Sequence, residues 1–508
     1  MSFKVGQMKR MGRCVQSWSS SREEVRLRFQ CTGCGKCCTG KGGRVRVNDR
    51  ELQELATATN LSLMDFKQSY THTVVEVDAG GQKQVQHALQ QTRDDRQCIF
   101  LQGSKCTVYA ARPTQCRTFP WWPQHLVSDY DWHLAAKECE GIRMEQEGDG
   151  HEDVSSVSFD DVIPDMVVHD IHQSGENFTY NELQQMLQDL KEVEPELLMQ
   201  YKTDFFHKFS RRIVFYDDEV TVLDNLINGV ATRSLVFTDR LHLTQSEVVM
   251  NQMPDADTNV DPEFDRTTLA FDVHRALCMP FAWFPDCDGK SLPLHVSVLG
   301  AGACTLPLFL LEHLSPEELK RLDAVEPSSQ VNSIAQHFFG VKAVLQRDER
   351  LVIHEKKGED FLKEQDENAA FDLLVLDVEA GTDCAGVRAP PLAMLEPKFL
   401  YQTKCVLAPH GILAINVITE SEAALENVET KLGHVFTRGL RLSLPANTTF
   451  FLFNDKCDDK PPFAADEFIR RVQNNSFQTE HAKTPALLNT YQLTAWVLNS
   501  SNGGSKSK

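Results

Sequence analysis

Four cysteines lie within eight residues near the start of the chain, in the run Cys31-Thr-Gly-Cys34-Gly-Lys-Cys37-Cys38. A spacing of two residues allows a tight turn to direct two thiolates at one ion, and the intervening glycines permit the positive φ that such turns use. Thiolates are soft ligands that suit zinc or an iron–sulfur cluster. The motif therefore favours a compact metal-binding domain over a set of buried free cysteines.

Four further cysteines follow this motif, so that eight of the chain's 15 cysteines fall between residues 31 and 139. A chain of 508 residues does not need disulfides to fold, and clustered thiols without a secretory apolar segment are more often ligands than cross-links. Eight thiols exceed the four that one tetrahedral ion takes, which leaves open either a multinuclear cluster or some cysteines in a supporting role. Spacing alone does not separate zinc from iron–sulfur. The predicted metal-binding residues are Cys31, Cys34, Cys37, Cys38, Cys98, Cys106, Cys116 and Cys139.

The surrounding segments resemble the family of zinc- or iron-chelating CxxCxxCC domains. The resemblance covers about residues 28–142 and rests on the cysteine motif, on Arg44–Asn48 followed by a helix at Asp49–Ala58, and on the later cysteine segments. Asn48 and Glu51 predict a capping box at the start of that helix. Arg112 and Arg117 are placed to donate hydrogen bonds to thiolate sulfurs. The resemblance implies an α+β cysteine-rich domain that binds zinc or iron.

Strand and helix patterns alternate from about residue 266, which predicts a mostly parallel sheet with helices on both faces. The strand candidates are Leu294–Leu299, Arg321–Val325, Leu351–His354, Phe371–Asp377 and Gly411–Ile418. Glycines at 300 and 302 follow the first strand, where they allow a ligand to approach the backbone closely. Glu326 ends the second strand, where an acid can accept both ribose hydroxyls of a nucleoside. Asp377 ends the fourth strand, at the edge where open α/β sheets bind ligands.

These segments resemble class I S-adenosylmethionine methyltransferases of the spermidine-synthase-like branch, of the kind found in the C-terminal half of methyltransferase-like protein 13. The resemblance covers about residues 208–455 and implies an α/β Rossmann-like methyltransferase domain that uses S-adenosylmethionine and methylates a protein amine. The predicted donor-binding residues are Gly300, Ala301, Gly302, Glu326, Gly358 and Glu359. The predicted catalytic residues, which face the acceptor, are Asp377, Glu379 and Asn447.

Two other functions compete with this interpretation. Aminopropyl transfer to a polyamine is compatible with the net charge of −20, but the second acidic motif expected after Asp377 is absent. A non-catalytic metal-binding scaffold is favoured by two departures from the methyltransferase pattern. Ala303 stands at the third glycine position, and Lys357 replaces the acid expected to bind adenine.

Charge and hydropathy narrow the partners. An acidic chain does not suit general nucleic-acid binding, which needs a basic surface. No apolar run reaches the roughly 18–20 residues of a membrane span. The methyltransferase resemblance implies a protein substrate as the partner, and the oligomeric state is not predicted. The first 20 residues are basic, contain serine and lack acids, so a cytoplasmic location and an organellar one reached through a short transit peptide are both expected alternatives.

We divide the chain accordingly into a leader or transit peptide (1–25), the cysteine domain (26–200), a hairpin and loop (201–265), the Rossmann-like domain (266–498) and a disordered tail (499–508). Within these, apolar spacing predicts a helix over Asn181–Tyr201, and polar residues at Asp239–Arg240 predict a hairpin turn.

Overall fold

The computed structural model describes residues 26–39, 45–77, 83–92, 97–143, 156–194, 196–240, 243–254, 262–284, 293–365, 371–380, 386–454 and 465–497. The predicted leader (1–25) and tail (499–508) lie outside these ranges. The chain divides into two compact units. Unit 1 comprises Met1–Phe215 and Asn225–Gly229, and unit 2 comprises Tyr216–Asp224 and Val230–Lys508.

Unit 1 combines short antiparallel sheets with helices. Its helices are α1 (Asp49–Ala58), α2 (Leu63–Tyr70), α3 (Thr114–Arg117), α4 (Asp129–Glu138), α5 (Phe159–Gln173), α6 (Tyr180–Val193) and α7 (Glu196–Lys208). Its first strands are β1 (Arg26–Phe29), β2 (Arg46–Val47), β3 (Thr71–Val77), β4 (Lys83–Leu89), β5 (Leu101–Gln102), β6 (Lys105–Cys106), β7 (Ile142–Arg143) and β8 (Ser156–Ser158). They pair in the orders β7-β1-β8, β2-β4-β3 and β5-β6.

Local sequence signals explain where these helices begin. The predicted helix at Asp49–Ala58 is confirmed, and so is its capping box: the Asn48 side chain accepts from the Glu51 amide while the Glu51 carboxylate accepts from the Asn48 amide. Glu51 is buried and also accepts from Thr114 N at 2.7 Å and pairs with His172 at 2.9 Å. The Glu51 carboxylate thus connects the start of α1 to the start of α3 and the end of α5.

The helix predicted over Asn181–Tyr201 is wrong as a single element. The structure ends α6 at Val193 and begins α7 at Glu196. The interruption coincides with Pro195 in the sequence, and proline both lacks an amide hydrogen and disfavours helical backbone in the residue before it. The apolar spacing continues across the break, which is why periodicity alone joined the two helices.

A five-stranded antiparallel sheet follows, and the boundary between the two units runs through its first two strands. Its strands are β9 (Phe209–Tyr216), β10 (Val220–Ile227), β11 (Val230–Phe237), β12 (Thr244–Met250) and β13 (Phe264–Asp265), in the order β13-β12-β11-β10-β9. The predicted hairpin around Asp239–Arg240 is confirmed as the β11–β12 pair. Sequence analysis missed β10, although Asn228 and Gly229 both have positive φ at the next turn, as a two-residue hairpin requires.

The main sheet of unit 2 contains the five predicted parallel strands, observed as β14 (Leu294–Leu299), β15 (Leu319–Val325), β16 (Leu351–His354), β17 (Phe371–Leu376) and β19 (Leu407–Thr419). It also contains four strands that were not predicted, β18 (Val387–Ala389), β20 (Arg438–Ser443), β21 (Thr448–Phe453) and β22 (Leu493–Val497). The order is β16-β15-β14-β17-β19-β21-β20-β22, with β18 paired to β19. The neighbouring strands β16, β15, β14, β17 and β19 are mutually parallel, whereas β18 and β21 are antiparallel to β19.

This order reverses direction between β14 and β17, since the chain runs outward from β14 to β16 and then returns to the other side of β14. Open α/β sheets bind ligands outside the carboxyl ends of the strands at such a switch point. The residues that follow β14 and β17 are Gly300 and Asp377, which places two of the predicted site segments side by side at the expected crevice.

Helices of unit 2 flank this sheet. They are α8 (Asp272–Leu277), α9 (Thr305–His313), α10 (Ser329–Phe338), α11 (Val341–Leu345), α12 (Gly358–Lys363), α13 (Pro397–Val406), α14 (Glu422–Gly433), α15 (Ala465–Asn474) and α16 (Thr484–Thr490). The central strand β17 is buried at every position except the partly buried Asp372, as a parallel strand covered on both faces should be. None of the helices in the described ranges is long and apolar enough to cross a membrane.

Candidate functional sites

All eight predicted cysteines of unit 1 line one cavity of about 500 Å³. They reach it from separate stretches of chain: the loop after β1, the 3₁₀ turn Lys36–Cys38, the strand β6 and the helix α3. The remaining walls are largely apolar and aromatic and include Phe100 and Trp122. The cavity is thus a thiol-rich chamber. Cysteines more than 60 residues apart in the chain, such as Cys31 and Cys98, contribute to it.

Glycine and main-chain contacts hold the cysteine motif against the second half of the cavity. Gly33 and Gly35 have φ of 66° and 74°, as the spacing predicted. A Cβ at Gly35 would lie 3.1 Å from the carbonyl oxygen of Ser104, so the motif packs closely on the β5–β6 turn. The Cys98 amide also donates to the Cys38 carbonyl at 2.8 Å.

The thiols differ in their electrostatic surroundings. Cys37 and Cys38 lie 4.0 Å apart between sulfurs, and this hydrogen bond, helped by the charge of Arg112, lowers the pKa of Cys37 to about 7. Burial raises the pKa of Cys98 and of Cys116. In the described part of the chain no three His, Cys, Asp or Glu side chains lie close enough together to form a ready ligand set. The thiols therefore share a chamber, and metal binding in it remains a prediction.

The two arginines predicted to bond to thiolates, Arg112 and Arg117, line the cavity and also bond to the nearby main chain. Arg112 Nε donates to the Tyr109 carbonyl at 3.1 Å, and Arg117 Nε donates to the Arg112 carbonyl at 2.8 Å. Arg112 also lies over the Tyr109 ring, with the guanidinium carbon 3.6 Å from the ring centre. These bonds fix the turn before α3, and Arg112 acts on the thiols through its charge.

In unit 2 the glycine turn and Glu326 form one hydrogen-bonded structure. Gly300 and Gly302 have φ of 85° and 53°. Gly302 N donates to Glu326 Oε2 at 3.1 Å, and Ser328 N donates to the other carboxylate oxygen at 3.0 Å. Burial raises the pKa of Glu326, and these two amides oppose that rise. The acid is thereby fixed beside the turn, where it can still accept further hydrogen bonds from a ribose.

The two departures from the methyltransferase pattern, Ala303 and Lys357, have different surroundings. Ala303 is fully buried, and its amide donates to Ser246 Oγ at 3.0 Å, so a residue of β12 supports the turn from behind. Lys357 is the exposed N-cap residue of α12, and the predicted Gly358 follows it, buried against Met394 and Leu299.

The two acids that follow Lys357 are not equivalent. Asp360 pairs with Lys363 at 2.8 Å and is exposed. Glu359 is half-buried in the first turn of α12. Glu359 is therefore the better placed of the two to replace the missing adenine-binding acid.

Asp377 lies directly against the glycine turn. A Cβ built at Gly300 would overlap the Asp377 carbonyl oxygen and lie 2.7 Å from its carbonyl carbon. Asp377 Oδ1 accepts from Asn416 Nδ2 at 2.8 Å, and Asn416 Oδ1 accepts from Asn447 Nδ2 at 2.8 Å. The structure thus brings two of the three predicted catalytic residues, Asp377 and Asn447, into one network.

Glu379 is placed differently. Arg388 donates to its Oε1 at 3.1 Å, and Arg240 lies 3.5 Å from its Oε2. Two guanidinium groups therefore balance the charge of a carboxylate that is only 15% exposed. The charge of Glu379 is thus already balanced by cations, whereas Asp377 is bonded to the neutral amide of Asn416, which makes Asp377 the better candidate.

Sequence analysis did not assign Asn416, His274 or Ser246 to the site. Asn416 stands near the end of a predicted strand, and its position at the carboxyl edge is a signal that could have identified it. His274 Nε2 lies 3.2 Å from Asp377 Oδ2 across 103 residues of chain. Ser246 contributes from β12 to a turn 57 residues later. No local pattern reports contacts at such separations.

Comparison with known proteins agrees with both halves of this picture. Residues 30–140 match the family model described as CxxCxxCC, "Putative zinc- or iron-chelating domain". The human protein "eEF1A lysine and N-terminal methyltransferase" is 26% identical over 177 residues, which cover 34% of this chain and 24% of that protein. The mouse counterpart is 24% identical over 240 residues, covering 45% of this chain and 32% of that protein. The N-terminal half resembles the CxxCxxCC domains, and the C-terminal half resembles the eEF1A methyltransferases.

Solved structures similar to this chain include human methyltransferase-like protein 13 in complex with SAH, with 21% identity and a TM-score of 0.35, covering 46% of this chain and 97% of that one. A probable spermidine synthase from Corynebacterium glutamicum has 16% identity and a TM-score of 0.38, covering 51% of this chain and 86% of that one. The chain spans about a quarter to a third of the curated relatives it matches, 24% of the human protein and 32% of the mouse protein.

Proposed function

We propose that unit 2 is an S-adenosylmethionine-dependent methyltransferase that acts on a protein amine, and that unit 1 binds zinc or iron through its thiols. The observation that carries the methyltransferase proposal is the junction of the glycine turn, Glu326 and Asp377 at the switch point of the sheet. The relatives' names specify protein lysine and N-terminal methylation, which supports an amine as acceptor.

The residues present fit the donor by their chemistry. The turn at Gly300–Gly302 carries only the methyl side chain of Ala301 and offers close backbone approach, while Glu326 supplies carboxylate oxygens for a ribose. Ala301 lies within this turn, and Gly358 with Glu359 would line the adenine end. When bound, S-adenosylmethionine supplies an electrophilic methyl group on a positively charged sulfur.

The acceptor side needs positioning more than acid–base power, since methyl transfer is an in-line displacement. The acceptor nitrogen forms a bond to the methyl carbon while the carbon–sulfur bond breaks, and the electron pair of that bond stays with sulfur. The nitrogen must present its lone pair, so an acceptor that arrives as an ammonium ion must first lose one proton. Asp377 can accept a hydrogen bond from the amine and orient its lone pair toward the donor.

Titration calorimetry with S-adenosylhomocysteine tests donor binding on the full chain. We expect the wild type to bind and Glu326→Gln to bind roughly 10- to 100-fold more weakly, because a charged hydrogen bond is lost. Asp360→Asn is the matched control, since it changes an exposed acid near the same edge, and should bind like the wild type. Folded wild-type protein that gives no heat would support the scaffold alternative and refute the donor site.

Methyl transfer itself is tested with purified eEF1A, the acceptor named for the relatives, and radiolabelled donor. Incorporation into eEF1A that disappears in Asp377→Asn supports an amine acceptor held at this edge. Donor binding without incorporation would leave the fold and cofactor in place but reject this acceptor.

The metal proposal rests on eight thiols around one chamber. A single tetrahedral ion would use four of them, so the number favours more than one metal or a cluster. Metal analysis and an absorption spectrum of protein purified without oxygen distinguish colourless zinc from a brown iron–sulfur cluster. Cys37→Ser should lower the metal content, whereas Cys405→Ser, which lies on α13 outside the chamber, should not. Protein that carries no stoichiometric metal under these conditions, and takes up neither zinc nor iron, would refute the proposal.

A further inference from the structure

A buried histidine stands behind the predicted acceptor carboxylate. His274 is 8% exposed and lies on the short helix α8. Its Nε2 is 3.2 Å from Asp377 Oδ2, and because a carboxylate only accepts hydrogen bonds, this nitrogen carries the hydrogen. Asn416 donates to the opposite oxygen at 2.8 Å. The carboxylate is therefore held from both sides.

These two hydrogen bonds fix the side-chain orientation of Asp377, which the backbone alone does not determine. The main chain of Asp377 is already positioned by its contact with Gly300 and by its amide, which donates to Leu299 O at 2.9 Å. Only the two side-chain torsions remain, and one donor on each oxygen determines both. An ionised carboxylate has about four acceptor positions, so two remain for a substrate after these bonds. The side chain is 20% exposed, which leaves a path for an amine to reach them.

His274 is itself held by a second buried network. Gln478 Nε2 donates at 2.6 Å to the carbonyl of Cys278, the C-cap residue of α8. Gln478 is fully buried, and its oxygen accepts from the Thr484 hydroxyl at 2.6 Å. The Phe271 ring packs against the imidazole with centres 5.4 Å apart. Buried polar groups are costly unless paired, so this supporting set gives α8 a defined position that a purely apolar contact would not.

Glu379 provides the contrast within the same edge. Its partners are two arginines, whereas those of Asp377 are a neutral amide and an imidazole. We infer that His274 is a positioning residue for the methyl transfer: through its Nε2 hydrogen bond it holds the Asp377 carboxylate in the orientation that receives the acceptor amine beside the glycine turn. The inference rests on the proposed function, and it assigns the amine to Asp377 rather than Glu379.

The test compares two substitutions of His274. His274→Gln keeps a hydrogen-bond donor on a side chain of similar reach, whereas His274→Phe keeps the volume and removes the hydrogen-bond donor. With eEF1A as acceptor, we expect His274→Phe to lower kcat about 10- to 100-fold with the donor KM nearly unchanged, and His274→Gln to restore most of kcat. His313→Phe, a half-buried histidine of α9 that packs on His481, is the control and should retain kcat.

Crystal structures of the same variants give a readout that does not depend on activity. The Asp377 carboxylate should keep its orientation in His274→Gln and turn in His274→Phe. If His274→Phe does not fold, His274→Met removes the donor with a more adaptable side chain. The inference would be overturned if His274→Phe, which lacks the hydrogen-bond donor, kept both the wild-type kcat and the wild-type orientation of the Asp377 carboxylate. It would also be overturned if both variants lost kcat equally, or if only the KM for S-adenosylmethionine changed. A wild type that binds donor but does not methylate eEF1A would reject that acceptor, while the crystal structures would still decide whether His274 holds Asp377.

Discussion

At the residue scale, the glycine turn and the Asp377 main chain meet at a position where only glycine fits. Gly300 combines a φ of 85° with a Cβ direction that runs into the main chain of Asp377. A side chain here faces both a backbone penalty and a steric one, since the neighbouring atoms are backbone and cannot rotate away.

We predict that Gly300→Ala destabilises unit 2 by about 3 kcal/mol or more and abolishes S-adenosylhomocysteine binding. The control is Gly103→Ala, whose φ of 62° is similar but whose Cβ would meet nothing within 4 Å. That variant should lose only the backbone component, about 1 kcal/mol. Urea unfolding and calorimetry measure the two effects, and equal losses in both variants would contradict the steric argument.

A second residue-scale prediction concerns Asp323, which lies buried on β15. His295 Nε2 and His354 Nε2 contact its two oxygens at 2.6 Å and 2.7 Å, and Arg321 pairs with it at 2.8 Å. Burial alone would raise the pKa of Asp323, but the bonds from these three side chains hold it well below the usual 3.8. Stability from this group is therefore fully present above about pH 4 and is lost as the pH falls toward the lower folded-state value.

Asp323→Asn should cost about 3 kcal/mol at neutral pH, because it leaves buried partners without their carboxylate. The difference in unfolding free energy between wild type and variant should narrow as the pH falls below about 4, because there the unfolded wild type binds a proton at Asp323 that the folded wild type does not. Asp360→Asn, at an exposed acid that pairs with Lys363 on the surface, should leave stability nearly unchanged at all pH values. A gap that stayed constant down to pH 2 would show that the carboxylate charge is not what stabilises the strand.

Residue positions were predictable from the sequence where the chemistry sits at the end of a strand. Gly300, Glu326 and Asp377 could be named because each follows an apolar run, and parallel strands bring such ends to one edge. His274 and Asn416 could not be joined to Asp377, since their contacts depend on how α8 and β19 pack after folding. The partners of Glu379 were equally hidden: Arg240 follows a hairpin strand, and nothing in its surroundings indicates an acid 139 residues later.

At the element scale, capping signals determine where helices of unit 1 begin. Thr179 caps α6: its hydroxyl accepts from the Glu182 amide at 3.4 Å, and Glu182 Oε2 accepts from the Thr179 amide at 2.8 Å. Such boxes could be read from the sequence, as Asn48 and Glu51 were. Helix ends within a continuous apolar pattern could not, as the break between α6 and α7 shows.

Thr179→Ala should destabilise α6 by about 1 kcal/mol, because it removes the cap and leaves amides at the helix start without a partner. Thr203→Ala, an exposed mid-helix threonine of α7 that bonds back to the Met199 carbonyl, should be neutral or slightly stabilising. Hydrogen exchange of the α6 amides measures the change. Equal exchange in both variants would mean that the cap contributes nothing to the helix.

At the scale of the whole molecule, each unit has its own buried core. Unit 1 packs around residues such as Trp132 and Phe159, and unit 2 around the apolar strands β17 and β19. The two proposed ligands therefore belong to separate cores: metal to the thiol chamber of unit 1 and S-adenosylhomocysteine to the switch point of unit 2.

We predict that calorimetry of the full chain resolves two unfolding transitions. S-adenosylhomocysteine at 100 times its Kd should stabilise one by about 2.7 kcal/mol, which corresponds to a few degrees in Tm. A chelator should lower the Tm of the other, because metal binds the folded state. Protein prepared with Cys37→Ser should lose the chelator response and keep the response to S-adenosylhomocysteine. Both ligands shifting one common transition would contradict this assignment.

The contact between Gly300 and Asp377 has a consequence for redesign of the proposed methyltransferase site. Backbone atoms of the turn that would cradle the donor touch backbone atoms of the residue that would receive the acceptor, with no side chain between them to absorb a change. Widening the turn to admit a bulkier donor analogue would move the carboxylate with it. A substitution at this edge that changes cofactor specificity should therefore also change substrate specificity. Variants selected for a new cofactor should be screened for their choice of substrate.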